Sequence, residues 1–147
     1  MIEYKLVIKV IHIVICDNKT KELEKIINKE RTILLRGSVS RKIPNSRVFI
    51  NDELYFVEKG SNKSYYHAVV TNAESYRGLT DIEIDRIFDK LSSKLNLTET
   101  EEKKWKKKCL CVIEFDNLEQ IDGLDIPKYT ALDNWIMVND LNELKNR

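Results

Sequence analysis

Between Arg31 and Arg47 the chain carries Arg31, Arg36, Arg41, Lys42 and Arg47, and not one Asp or Glu. A guanidinium offers a planar fork of N–H donors that fits phosphate or carboxylate through paired hydrogen bonds. Cations in an acid-free run therefore suit an anionic ligand. If all five neutralised phosphates of a single strand, affinity would fall with salt at a log–log slope of about −3.5. The competing reading is a solvated loop whose arginines pair with the acidic C-terminal third. That third holds eight Asp or Glu from Glu114 to Glu143 against one lysine. Used as a docking face, it would make the chain a protein-interaction domain without a nucleotide ligand.

Tyr65 and Tyr66 follow a predicted turn that carries Lys59 and Lys63. Alternation along a strand sends one ring inward and the other outward. An outward ring beside lysines can stack on a base, worth ~1–3 kcal/mol, or can simply pack on the sheet. Lys103-Lys-Trp-Lys-Lys-Lys108 is a second basic cluster, placed where lysines also complement a helix dipole. Cys109 and Cys111 share one face of a predicted strand, about 6.5–7 Å apart, a poor spacing for an unstrained disulfide. Neither His12 nor His67 stands at zinc-ligand spacing. Buried thiols and a core His12 with a satisfied ring nitrogen are the expected outcome. There is no His-centred triad, phosphate-binding glycine loop or zinc-protease helix. No catalytic residue, metal or cofactor is assigned.

These residues need elements to hold them. Residues 4–16 are dominated by β-branched side chains, as in a strand covered on both faces. Asp17 or Asn18 can cap a short helix carrying Leu23, Ile26 and Ile27 and ending near Asn28. Thr32–Leu35 reads as a second strand, followed by a polar loop from Gly37 to Ser46. Val48–Ile50 and Leu54–Val57 read as strands joined by a tight Asn51-Asp-Glu connection, and Tyr65–Val70 continues a strand meander. Two capping boxes, Thr80-Asp-Ile-Glu83 and Thr98-Glu-Thr-Glu101, predict helices. The first has an apolar stripe of Ile84, Ile87, Phe88, Leu91 and Leu95, the second is anchored by Trp105. Cys109–Phe115 returns to strand, and Trp135–Val138 is a closing strand or a packed tail. The order predicts an α+β fold: a mostly antiparallel partial β-barrel with inserted helices, not a doubly wound nucleotide fold.

Composition sets the outer limits. Leu, Ile, Val and Phe supply 46 of 147 residues, enough for one core, with residues 1–139 as a single domain and 140–147 as a frayed tail. The formal charge of +1 excludes a histone-like protein. Three cysteines suit a reducing compartment rather than a disulfide framework. The apolar segment from Leu6 to Cys16 is broken by Lys9 and His12, is far shorter than the ~20 residues of a membrane span, and lacks a cleavage site. A soluble cytoplasmic protein without a membrane partner is the expectation.

The run Leu23-Glu-Lys-Ile-Ile-Asn-Lys-Glu-Arg-Thr-Ile-Leu-Leu-Arg-Gly37, continuing at Val48-Phe-Ile-Asn-Asp-Glu-Leu-Tyr-Phe-Val57, resembles the ASCH family of the PUA-like superfamily. That family has a short helix, a strand with a Gly-x-Lys-x-x-Glu-x-Arg-like signature, and a Val-x-x-Gly-Asp-x-x-Tyr-Phe-like hairpin. Arg36 matches the family's arginine and Arg31 replaces its lysine, while Lys29 and Leu34 depart at its glycine and glutamate. Asp52, Tyr55 and Phe56 match in the hairpin, and Asn51 replaces glycine. The resemblance spans about residues 20–70. It implies a PUA-like barrel with a cleft beside the signature strand and a role linked to RNA or nucleotides. Some members are amidohydrolases of acylated cytidine that use a lysine on this strand and a nearby threonine. Arg31 and Leu34 occupy those positions, and arginine stays protonated and cannot act as the base.

Together these features predict a non-catalytic module for RNA or a nucleotide-like ligand. Arg36 and Arg41 would hold phosphate, Arg31 and Lys42 would assist, and Tyr65 or Tyr66 would stack. The alternative is a small amidohydrolase acting on modified nucleosides.

Overall fold

A computed structural model describes residues 9–139. In chain order its elements are β1 (Ile11–Cys16), α1 (Glu22–Ile27), β2 (Ile33–Ser38), β3 (Glu53–Glu58), β4 (Lys63–Tyr76), α2 (Asp81–Leu95), α3 (Glu99–Trp105), β5 (Cys109–Asp125) and β6 (Trp135–Val138). The strands form one curled half-barrel sheet in the order β2-β5-β4-β3-β1-β6. All neighbours are antiparallel except β1 and β3. This is the predicted mixed α+β, mostly antiparallel class. The predicted residues 4–8 of the first strand and the 140–147 tail lie outside the described residues.

β1 is buried throughout, and its alternation works as predicted. Val14 and Cys16 point into one core with Ile26, Leu34, Phe56 and Ile113. Ile11, Ile13 and Ile15 enter another with Tyr55, Val57 and Ile126. His12 shares the first face. Its Nδ1 accepts from the Trp135 indole at 2.9 Å, so Nε2 carries the proton and donates to Asp52 at 2.8 Å. Burial, partly opposed by Asp52, lowers its pKa below 6.5. The last strand is therefore a true sheet member, tied to β1 by backbone and by this ring pair.

The meander is corrected in one place. β2 lies against β5, outside the meander. Val48–Ile50 is not a strand: Val48 is buried, whereas Phe49 and Ile50 are 63% and 61% exposed. The carboxylate of Asp52 claims this stretch instead, accepting from the amides of Val10 and Phe49 as well as from His12. Both capping boxes form as read. The α2 stripe and Trp105 cover Ile33, Leu35, Leu110 and Val112 of the sheet. The predicted cap of α1 does not form. Lys21, with φ 57°, begins the helix, and Asp17 instead accepts from Lys19 N and Thr20 Oγ1 in the preceding turn. Beyond Phe115, β5 runs ten residues further than predicted because β4 pairs with it through register shifts that help bend the sheet.

Candidate functional site

Arg31 lies ahead of β2 and Arg36 within it. Both guanidiniums reach one carboxylate. Arg36 grips Glu22 through Nη1 at 2.9 Å and Nη2 at 2.8 Å, and Arg31 Nη1 stands 3.4 Å from the same side chain. Arg31 also makes a two-pronged pair with Glu101, 2.8 Å on each arm, and Lys25 stands 3.7 Å from that carboxylate. The two arginines and the two glutamates are all at most 4% exposed. Burial disfavours the charge of Glu101, but hydrogen bonds and charge from Arg31 outweigh it and hold the carboxyl below its ordinary value. Burial likewise opposes the charge of Arg36, and Glu22 overcomes it and raises the pKa. Arg31, expected to assist a ligand, is thus occupied by protein carboxylates.

Arg36 reaches across the sheet. From edge strand β2 its Nη2 donates to Ile15 O of β1 at 3.2 Å, and its guanidinium lies 5.0 Å from the Trp105 ring centre and 5.8 Å from that of Trp135. It therefore closes the seam between β2 and β6 from below. Above it opens a cleft of about 330 Å³. Arg36 and Trp105 border it on one side, the loop after β2 on another, and Asn134 stands just ahead of β6. Gly37 permits the close approach of Trp105, since a Cβ there would collide with the Trp105 carbonyl. The loop is pinned by the Asn45 carboxamide, which donates to Tyr76 O at 3.1 Å and Leu110 O at 3.2 Å. Lys42 and Lys107 line the cleft, and among the described residues no carboxylate does.

The predicted site therefore divides. Arg36 and Lys42 border the cleft; Arg41 and Arg47 are exposed on the same loop but do not line it. Tyr65 and Tyr66 obey alternation, Tyr66 packing toward the core and Tyr65 standing 45% exposed over Gly123. They sit at the far end of β4, ten residues from the Tyr76 carbonyl that anchors the cleft loop, roughly 30 Å along a strand. His67 is also outside the cleft, between Glu53 at 3.2 Å and Glu119 at 3.3 Å. The three thiols are buried as expected. Burial and the Glu22 charge raise Cys16 well above the ordinary thiol value, and burial raises Cys111 to about 11, so neither is a thiolate at neutral pH. Among the described residues no cluster of three or more His, Cys, Asp or Glu is arranged to hold a metal ion.

Sequence reasoning missed Glu22, Glu101, Lys107 and Asn134 as neighbours of the arginines and the cleft. Glu101 had been read only as a cap, and it does both: its Oε1 accepts from Thr98 N at 3.2 Å while it holds Arg31. Lys107 was visible in the lysine cluster around Trp105, which a helix dipole also explained.

No family model and no curated protein matches the sequence. Solved structures do. The crystal structure of ASCH from Zymomonas mobilis superposes with a TM-score of 0.63 at 5% identity, covering 92% of this chain and 93% of that one. A tyrosine-to-phenylalanine mutant of the same protein gives 0.65 at 8% identity, covering 92% and 95%. Its serine-to-alanine mutant gives 0.64 at 5%, covering 92% and 93%. At such identity the likeness speaks for architecture alone, and over nearly the whole length of both chains this protein has the ASCH fold.

Proposed function

We propose that the cleft beside β2 binds RNA or a nucleotide-like ligand and that the protein is a non-catalytic module. The observation that carries this is a cleft lined by Lys42 and Lys107 with no carboxylate among the described residues on its walls. Arg41 adds charge from the neighbouring loop. Arg36 shapes the floor, its charge balanced by Glu22. Arg31, Tyr65 and Tyr66 have no part in the cleft. The chain would act in the cytoplasm, where reducing conditions keep its three thiols free.

Filter binding of single-stranded RNA across salt concentrations is the test. Three contacts, from Arg41, Lys42 and Lys107, give an expected log–log slope of about −2. Retention that ignores salt, or no retention at low salt, would sink the proposal. The amidohydrolase alternative is examined by incubation with N4-acetylcytidine. The positions that correspond to its catalytic residues hold Arg31 and Leu34, 2% and 0% exposed, and no turnover is expected. Binding partners that survive nuclease treatment would point instead to a protein-interaction domain.

A further inference from the structure

The cleft offers more than two lysines. The backbone amides of Ser40, Arg41, Lys42 and Ile43 donate to no protein acceptor among the described residues. Ser40, Lys42 and Ile43 line the cleft. Amides left unpaired along a loop are donors that an anion can take. The site is also unsuited to a base. Trp105 is only 6% exposed, with Arg36 5.0 Å and Lys104 4.7 Å from its ring centre. Among the described residues no other aromatic side chain lines the cleft. Finally, Arg36 forms the floor of the cleft, bridging β2 to Ile15 O of β1 and lying 5.8 Å from the Trp135 ring centre of β6.

We propose that the group seated in this cleft is a terminal phosphate monoester, on the end of an RNA strand or on a mononucleotide. This rests on the binding function proposed above and narrows it. An internal phosphodiester carries one negative charge and two free oxygens. A terminal monoester carries about −1.5 to −2 at neutral pH and presents three acceptor oxygens. Two ammonium groups and a row of free amides can use the additional charge and the additional acceptor.

The experiment compares RNA decamers of one sequence that differ only at their ends: 5′-phosphorylated, 3′-phosphorylated and unphosphorylated. Binding to the full chain is read by anisotropy at pH 7.5. A phosphorylated decamer is expected to bind about ten-fold more tightly than the unphosphorylated one. Lys42→Gln with Lys107→Gln should abolish that preference, and Lys90→Gln with Lys94→Gln on α2 should leave it. The preference should also shrink at pH 5, where the monoester loses its second charge. Competition by a nucleoside monophosphate, against the bare nucleoside, separates the two sources. A monophosphate that competes as well as the decamer identifies a free nucleotide, and one that competes poorly identifies a strand end. Equal, salt-dependent binding of all three decamers overturns the terminal-phosphate proposal while leaving RNA binding intact. Absence of binding by every probe overturns both.

Discussion

Arg31 and Arg36 are 2% and 4% exposed and bound to Glu22 and Glu101, whereas Arg41, Lys42 and Arg47, from the same acid-free run, stand on an open loop. One stretch of sequence thus serves two purposes. The first pair turns inward onto carboxylates contributed by α1 and α3, and its guanidiniums bridge elements that otherwise share little backbone bonding. Loop cations remain without a carboxylate in the adjoining cleft among the described residues. Lack of acids nearby in sequence says nothing about acids nearby in space. The arginines do converge, as an anion site requires, but the anion they converge on is the protein's own.

Breaking the buried half should have the largest effect. Glu22→Ala leaves two desolvated guanidiniums short of a partner and is expected to cost about 3–5 kcal/mol in urea unfolding. Arg47→Ala should stay within about 0.5 kcal/mol. If the two changes cost the same, the contrast between buried and open cations is lost. Acid tests the same half. Glu101 has a folded pKa below the ordinary 4.5, so its contribution is full above that value and disappears as pH falls through the lower folded one. Glu101→Gln should therefore flatten the acid limb of a stability–pH curve.

The two capping boxes sharpen the contrast at smaller magnitude. Thr80→Ala and Thr98→Ala should each cost about 1 kcal/mol. Only the second sits on a glutamate that also binds Arg31. A double-mutant cycle of Thr98 with Arg31 should give a coupling of at least about 0.5 kcal/mol, and the cycle of Thr80 with Arg31 none. In the open half, Lys42→Ala should leave unfolding unchanged and reduce the salt slope of RNA binding by about 0.7. Tyr65→Ala, at the remote end of β4, should change neither slope nor affinity, and a loss of binding there would move the site away from the cleft.

Both capping boxes, the β1 alternation, the α2 stripe and the opposite facing of Tyr65 and Tyr66 were legible because each depends on residues within a few positions of one another. The capping residue Lys21 and the loop at Phe49 were misread because Asp17 and Asp52 spend their carboxylates on other groups. The cleft was half legible: the sequence pointed to the stretch that walls it, through Arg36 and Lys42, and not to Lys107 or Asn134 across from it.

Residue order alone carried most of the elements and the class of sheet, since hydrogen-bonding within a turn of helix and side-chain alternation are short-range physics. Only the tertiary structure decided the strand order, the carboxylates that take Arg31 and Arg36, and the place of the cleft between two edge strands. Arg31 meets Glu101 at a separation of 70 positions along the chain, and such a pairing is selected by how the whole core closes, which leaves no local pattern to read.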